Sequence, residues 1–256
     1  MQRADPTGGP TGGSRHAYGD HPSQYGELAV PEGTPQGVAV VVHGGFWKAQ
    51  YGIEYGRPVA DALLANGWTV WNIEYRRVGD GGGVPATLDD VQAAIAHLDR
   101  LDVGVEVATV PVLGVGHSAG GHLVTWAGAG GRLSHVISQA GVLDLRAAAD
   151  AGLGGGAVEA FLGHPAGEAD REVDPIRGVP LAVPVWCVHG REDGTVPISQ
   201  SADYVAAATA AGGRARLVEV DGDHFAVIDP ATAAGAATLE IAAEILQEHA
   251  ASTGSG

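Results

Sequence analysis

The stretch that most limits how this chain can fold lies near its middle, where an apolar run meets a glycine-rich turn. Residues 109–113 read Thr-Val-Pro-Val-Leu, which is typical of a strand, and residues 122–129 are compatible with a helix. Between them stands Gly116-His-Ser-Ala-Gly. A serine at so tight a strand-to-helix turn has a strained backbone and a hydroxyl that stands clear of the sheet. Glycines remove the side chains that would collide there. Ser118 is therefore a candidate nucleophile, with an ordinary serine in a glycine-rich turn as the alternative.

Around this turn, short β-branched runs alternate with segments rich in Ala and Leu. Several runs are apolar at consecutive positions, as in strands that are covered on both faces. The alternation predicts an α/β fold, with a mostly parallel central sheet and helices on both of its faces. The predicted strands are residues 38–42, 69–74, 110–115, 135–140, 183–189 and 215–220, and the predicted helices are residues 55–66, 86–101, 119–129, 199–211 and 231–249.

The length of 256 residues suits one large domain with a sizeable core. We expect a flexible N-terminal arm over residues 1–20, a single domain over 21–250 and a flexible tail over 251–256. Residues 142–180 interrupt the alternation, because they lack a clear strand and carry three consecutive glycines and three prolines. They are interpreted as a short insertion, either a small lid or a plain surface excursion.

Composition excludes several classes of function. The net charge of −16 repels phosphate backbones, so we expect no nucleic-acid partner. No run reaches the roughly 18 apolar residues that a membrane span requires, and the first 20 residues do not resemble a signal peptide. The single cysteine, Cys187, excludes an intramolecular disulfide. We therefore expect a cytoplasmic protein with no membrane partner, for which a homodimer is one open option.

A serine hydroxyl is a weak nucleophile, so it needs a base in reach and a carboxylate that orients the base. His224 follows the last predicted strand, in Gly-Asp-His-Phe, and Asp193 follows the strand before it. Loops at the carboxyl ends of parallel strands are where such sheets carry their chemistry. Ser118, Asp193 and His224 are thus the predicted catalytic residues. The rival acids, Glu192, Asp221 and Asp223, are less suitable because of their positions next to Asp193 or His224 in the sequence.

The remaining histidines are predicted to be structural. His117 and His122 flank the serine, and we expect their side chains to point away from it. His43 and His189 end predicted strands, where they would brace loops. No spacing of His, Asp or Glu resembles a strong zinc motif, so no metal and no other cofactor is expected.

A tetrahedral intermediate also needs donors for its oxyanion. One is expected from the backbone N–H of Ala119, the residue after the serine. The second is expected from His43-Gly-Gly-Phe-Trp, directly after the first predicted strand, with Gly45 or Phe46 as the donor. Gly44 and Trp47 are predicted to contact the substrate.

With these residues the chain resembles the α/β-hydrolase superfamily and, within it, the group of kynurenine formamidases (arylformamidases) and small carboxylesterases. The resemblance covers most of residues 18–245. It implies the α/β-hydrolase fold and the triad order serine, acid, histidine, and it places residues 44–47 on the oxyanion side. Four segments carry it: Tyr18-Gly-Asp-His-Pro-Ser-Gln, His43-Gly-Gly-Phe-Trp, Gly116-His-Ser-Ala-Gly-Gly-His, and Asp223-His-Phe with Ile228.

The expected reaction is hydrolysis of a small acyl amide or ester through an acyl-enzyme. An N-formyl aromatic amide such as N-formylkynurenine is the favoured substrate, because Phe46 and Trp47 would wall a small acyl site. Trp71 and Tyr75 would stack on the aromatic group, unless they are plain core residues. A carboxylesterase acting on short-chain esters is the alternative, and a non-catalytic binding protein of the same fold is a lower one.

Overall fold

A computed structural model describes residues 13–253 of the chain. In this described part the chain forms eight strands and seven α-helices, with short 3-10 turns between them. The strands are β1 Ser14–Ala17, β2 Tyr25–Ala29, β3 Gly37–Val42, β4 Trp68–Ile73, β5 Val112–His117, β6 His135–Gln139, β7 Val185–Gly190 and β8 Ala215–Val220. The helices are α1 Arg57–Ala65, α2 Ala86–Ala96, α3 Ala119–Ala127, α4 Leu145–Asp150, α5 Ala157–Leu162, α6 Ser199–Ala210 and α7 Ala233–Thr253.

All eight strands belong to one sheet, in the order β1-β2-β4-β3-β5-β6-β7-β8. Strands β1 and β2 run antiparallel to their neighbours, and the pairs from β4 through β8 are parallel. The predicted α/β-hydrolase fold is confirmed. Because β3, β5, β7 and β8 point the same way, their carboxyl ends meet at one edge of the sheet, where the predicted site residues lie.

The sheet separates two hydrophobic cores. In β3, Val38, Val40 and Val42 face one core, and the intervening Ala39 and Val41 face the other. Helices α2, α3 and α6 cover the first core, and α1 and α7 cover the second. This burial on both faces is the reason that the central strands read as continuous apolar runs.

The ends of the chain differ from the prediction. Residues 14–17, expected within the flexible arm, form edge strand β1, which pairs with β2. Residues 251–253, expected within the flexible tail, belong to α7. Backbone pairing in the first case and helix continuation in the second supply the order that composition did not predict. Residues 1–12 and 254–256 of the two predicted segments lie outside the described residues.

The predicted insertion, residues 142–180, packs as part of the domain. It forms α4 and α5, followed by two 3-10 turns. Leu145, Val158 and Phe161 are buried in the first core, and the Phe161 ring stacks on Trp47 with 4.5 Å between ring centroids. The insertion therefore packs against the turn after β3 through the contact between Phe161 and Trp47. Whether any of it moves as a lid stays a prediction.

Candidate active site

Ser118 occupies the turn between β5 and α3, as the sequence predicts. Its backbone has φ 55° and ψ −117°, a conformation that L residues rarely adopt. The Ser118 N–H donates to the Gln139 carbonyl (2.8 Å), and the Ser118 carbonyl accepts from the N–H of His122 (3.1 Å). These hydrogen bonds to β6 and α3 hold the turn in place. The serine is nearly buried but lines a cleft.

The two glycines of the turn allow three chain segments to meet. A side chain on Gly116 would collide with the Gly120 carbonyl, and one on Gly120 would collide with the Val42 carbonyl at the end of β3. A Cβ on Gly44 would lie 2.7 Å from the His117 carbonyl oxygen and 3.0 Å from the Ser118 Cβ. The turn after β3 therefore lies directly against the serine only because these residues are glycine.

His224 and Asp193 are brought together as predicted. The His224 Nδ1 lies 2.6 Å from the Asp193 Oδ2, and both side chains are almost inaccessible to solvent. Since a carboxylate only accepts, Nδ1 carries a proton, and the neutral tautomer that this bond selects has its lone pair on Nε2, as a general base requires. His224 lines the same cleft as Ser118. The Ser118 hydroxyl and the His224 ring thus face one cleft, as a hydroxyl and a base that could take its proton must.

Asp193 is an acceptor for donors on every side. Its Oδ1 accepts from the N–H groups of Thr195 and Val196, both at 2.8 Å. Its Oδ2 lies 3.2 Å from the Nε2 of His189, in addition to His224. Burial by itself raises the pKa of Asp193, but the bonds from His189, His224 and Val196 outweigh it and hold the pKa well below its usual value. The residue is thus a carboxylate at neutral pH.

The rival acids are engaged elsewhere. The Glu192 carboxylate accepts from the Gly222 N–H, Asp221 pairs with Arg191, and Asp223 accepts from the N–H groups of Phe225 and Ala226. These bonds shape the loop that carries His224. The position of Asp193 as the acid partner of His224 therefore agrees with the prediction.

The turn after β3 brings Gly44, Gly45 and Phe46 to the cleft wall. Gly45 and Phe46 have positive φ values of 115° and 51°, so the backbone reverses sharply here. The backbone N–H groups of Phe46 and Ala119 form no hydrogen bond to other described residues, in agreement with a role as donors to a ligand.

Trp47 is a correction to the prediction, since it does not reach the cleft. It is fully buried, packed between Phe161 and His122, where the rings meet with centroids 4.5 Å and 5.3 Å apart. Trp71 and Tyr75 are likewise core residues. The Trp71 indole donates to the Ala94 carbonyl, and the Tyr75 hydroxyl donates to the His43 carbonyl. None of these three aromatic residues is available for substrate.

A buried carboxylate behind the turn was missed by sequence reasoning. Glu74 lies 3.0 Å from the Nε2 of His43, accepts from the Ile53 N–H at 3.0 Å and pairs with Arg77 at 3.3 Å. Burial raises the pKa of Glu74, but His43, Arg77 and the Tyr75 N–H outweigh it, and the pKa lies below its usual value. His43 braces the turn, as predicted, and Glu74 at the end of β4 anchors it.

The cleft around Ser118, which we call the serine cleft, has a volume of about 180 Å³. Sequence reasoning missed half of its lining. Four of these residues come from segments between the main strands and helices that folding brings together, and the fifth, His117 at the end of β5, was expected to point away. Besides Gly44, Gly45, Phe46, Ser118 and His224, the lining consists of Tyr51, Tyr55, His117, Thr195 and Phe225. None of the lining residues in the described chain comes from residues 142–180.

The sequence also identifies the family. Residues 28–207, well over half of the chain, match the model of the BD-FAE family. The chain belongs to the BD-FAE family. No curated protein matches the sequence. The family match includes the turn after β3, the serine turn and Asp193, whereas His224 lies beyond it.

Solved structures share the fold of this BD-FAE chain. A truncated carbohydrate esterase from gut microbiota has 18% sequence identity and a TM-score of 0.76, over 93% of this chain and 95% of that one. Thermogutta terrifontis esterase 2, phosphonylated by sarin, has 20% identity and a TM-score of 0.77 over 96% and 98%. An acetyl ester-xyloside bifunctional hydrolase from Caldicellulosiruptor lactoaceticus has 19% identity and a TM-score of 0.72 over 87% and 88%. The α/β-hydrolase fold extends over nearly all of the BD-FAE chain.

Residues 13–253 were also considered for the features of other classes of function, a membrane span and a metal site. No helix in that range is long and apolar enough to cross a membrane. The same range contains no group of three or more His, Cys, Asp or Glu side chains placed to hold a metal ion. The cytoplasmic location of this BD-FAE protein stays a prediction.

Proposed function

We propose that this protein is a serine esterase that cleaves small carboxylic esters through an acyl-enzyme. The observation that carries the proposal is the meeting of Ser118 and the Asp193–His224 pair in one cleft, beside a turn with free backbone donors. These groups come from four separate connections, after β3, β5, β7 and β8, and each fits one role in acyl transfer.

The roles follow from the geometry. His224, unprotonated at Nε2, takes the Ser118 proton as the hydroxyl oxygen attacks the ester carbonyl. Asp193 keeps that tautomer and stabilises the imidazolium that forms. The N–H groups of Ala119 and of Phe46 or Gly45 bind the developing oxyanion. His224 then protonates the leaving alkoxide, and a water activated by the same base releases the acid and frees Ser118.

We prefer a carboxylic ester as the substrate to the N-formyl aromatic amide that the sequence resemblance favours. Trp47, Trp71 and Tyr75, which would enclose a formyl group or stack on its aromatic partner, are buried away from the cleft. The structures that share the fold include a carbohydrate esterase and an acetyl ester-xyloside hydrolase. Both observations support the carboxylesterase alternative. Gly44 and Phe46 remain proposed substrate contacts, since they line the serine cleft.

The proposal is tested by labelling and turnover. A fluorophosphonate probe should label the wild-type protein, and mass spectrometry should place the label on Ser118. Ser118→Ala should abolish labelling and reduce turnover of p-nitrophenyl acetate by several orders of magnitude, on the order of 10⁶ if the triad acts as a unit.

Ser134→Ala is the matched control, because Ser134 precedes β6 at the opposite edge of the sheet. It should keep full labelling and activity. An unlabelled wild type that leaves the ester intact would refute the proposal. If the protein cleaves N-formylkynurenine efficiently and esters poorly, a formamidase function would be favoured over an esterase function.

A further inference from the structure

His117 joins the two parts of the site that come from the most distant loops. It is the last residue of β5 and directly precedes Ser118. Its Nε2 lies 2.9 Å from the carbonyl oxygen of His224, a residue 107 positions further along the chain. Because a carbonyl oxygen only accepts, the His117 Nε2 must carry the hydrogen. One side chain thus ties the strand that ends at the serine to the loop that carries the histidine.

The two imidazole rings also pack together. Their centroids lie 4.5 Å apart with an interplanar angle of 47°. The centroid of the Phe225 ring lies 6.2 Å from that of His117 and 5.4 Å from that of His224. His224 is therefore held at its Nδ1 by Asp193, at its carbonyl by His117 and at its ring by two neighbours. A lateral shift of the imidazole would break at least one of these contacts.

The His117 ring has one charge state in this setting. Burial, with the nearby His224, lowers the pKa of His117 to about 3. The ring is therefore neutral at neutral pH. A neutral ring can hold the loop without repelling the positive charge that His224 acquires during the reaction. On its other side, the His117 Nδ1 faces Gly44, whose missing side chain gives it room.

We propose that His117 is a positioning residue, whose Nε2–H holds the His224 carbonyl and so keeps the base in register with the nucleophile. The inference rests on the proposed function, because it gives His117 a part in that same reaction. It predicts an effect on the rate of the chemical step and little effect on substrate affinity. Misplacement of a catalytic group by about 1 Å can cost about 100-fold in rate.

The test compares two substitutions by steady-state kinetics with p-nitrophenyl acetate. His117→Leu has no donor, whereas His117→Gln carries an amide N–H near the place of Nε2. For the leucine variant we expect kcat to fall about 10- to 100-fold with KM within about twofold of the wild type. The glutamine variant should recover most of the lost rate, since it restores the bond to the carbonyl.

His135→Leu is the matched control. His135 also lies on a central strand, but it begins β6, at the opposite edge of the sheet from Ser118. Its Nδ1 lies 2.8 Å from the Ser134 hydroxyl oxygen, so its hydrogen bond does not involve the loop of His224. The control should keep kcat within about twofold of the wild type.

The outcomes separate the two proposals. A leucine variant with wild-type kcat, or a glutamine variant as slow as the leucine one, would overturn the role of His117 while leaving the esterase assignment intact. A wild type that is neither active nor labelled at Ser118 would overturn both. If the leucine variant does not fold, His117→Asn replaces it, because its shorter amide does not reach the carbonyl and the same contrast with glutamine applies.

Discussion

Replacement of Asp193 by asparagine tests the proposed triad through the hydrogen-bond pattern around that side chain. Each atom that contacts the carboxylate is a donor. The Thr195 and Val196 N–H groups donate to Oδ1 at 2.8 Å, and the His224 Nδ1 donates to Oδ2 at 2.6 Å, with the His189 Nε2 3.2 Å from the same oxygen. The site therefore requires a group that only accepts.

An asparagine can satisfy half of this pattern. Its carbonyl oxygen fits against the two backbone N–H groups, which leaves its NH₂ facing His224. The His224 Nδ1 must then accept, so the ring proton moves to Nε2, where it blocks removal of the Ser118 proton. We expect Asp193→Asn to reduce kcat for p-nitrophenyl acetate by about 10⁴ at neutral pH, with KM changed little. Stopped-flow measurement of the acylation burst should show that acylation is the slowed step.

The same substitution has a consequence for stability. Because the pKa of Asp193 is lower in the folded than in the unfolded protein, the carboxylate adds stability at neutral pH. That stability is lost as the pH falls below about 4, the usual value for an aspartate, toward the folded-state pKa. In urea at pH 7, Asp193→Asn should unfold with about 1–3 kcal/mol less free energy than the wild type. At pH 3 the difference should be smaller. A variant that keeps more than a tenth of kcat, or a stability difference that grows in acid, would refute this reasoning.

Three further predictions concern the same edge of the sheet. Ser118→Gly should have a free energy of unfolding in urea about 0.5–2 kcal/mol higher than that of Ser118→Ala. At this positive φ, the strain on a residue with a Cβ exceeds the extra conformational entropy that glycine loses on folding. A less stable glycine variant would contradict this prediction. Glu74→Gln should lower the free energy of unfolding at pH 7 by about 2 kcal/mol or more, since the buried Arg77 guanidinium loses its charged partner. Unchanged urea unfolding would count against the bracing role. Phe225→Ala should raise KM for p-nitrophenyl butyrate several-fold, because Phe225 lines the serine cleft. Val30→Ala is the control, since Val30 is exposed to a similar degree but lies outside the cleft, and it should leave KM unchanged. Equal effects of the two substitutions would show that Phe225 does not contact the substrate.

The central sheet is predictable from sequence because its strands are buried on both faces. A short, continuous apolar run between turn signals, such as residues 38–42, is typical of a strand that is buried on both faces. Strands β1 and β2 escape prediction for the opposite reason. Strand β1 is a mostly exposed edge strand, and β2 carries Glu27, whose burial depends on two hydrogen bonds from Arg57 at 3.1 Å and 2.6 Å. A partner 30 residues away leaves no pattern in the strand itself.

In the candidate site, the positions of the three proposed catalytic residues could be predicted from the sequence, whereas the packing of the residues around them could not. Ser118, Asp193 and His224 each follow a recognisable strand, and parallel strands bring such loops to one edge. The role of Trp47 could not be predicted in the same way, because it depends on Phe161 from the insertion. The buried Glu74 offers one usable signal. A carboxylate at the end of an apolar strand needs a cationic or donor partner, and Arg77 stands three residues later.

The strain in the backbone gathers where the chemistry is proposed. Among the described residues, the positive-φ positions that are not glycine are Phe46, Trp47, Ser118 and Ala140. They follow β3, β5 and β6, three neighbouring strands in the sheet. Such conformations cost about 1–3 kcal/mol each and persist only where the surrounding structure requires them. Here the requirement comes from long-range contacts, such as the Ser118 N–H on β6 and the Ala140 N–H on the Val188 carbonyl in β7. The rigid core thus holds Ser118 and the turn after β3 in conformations that neither segment would adopt alone, which is the preorganisation that the proposed acyl transfer needs.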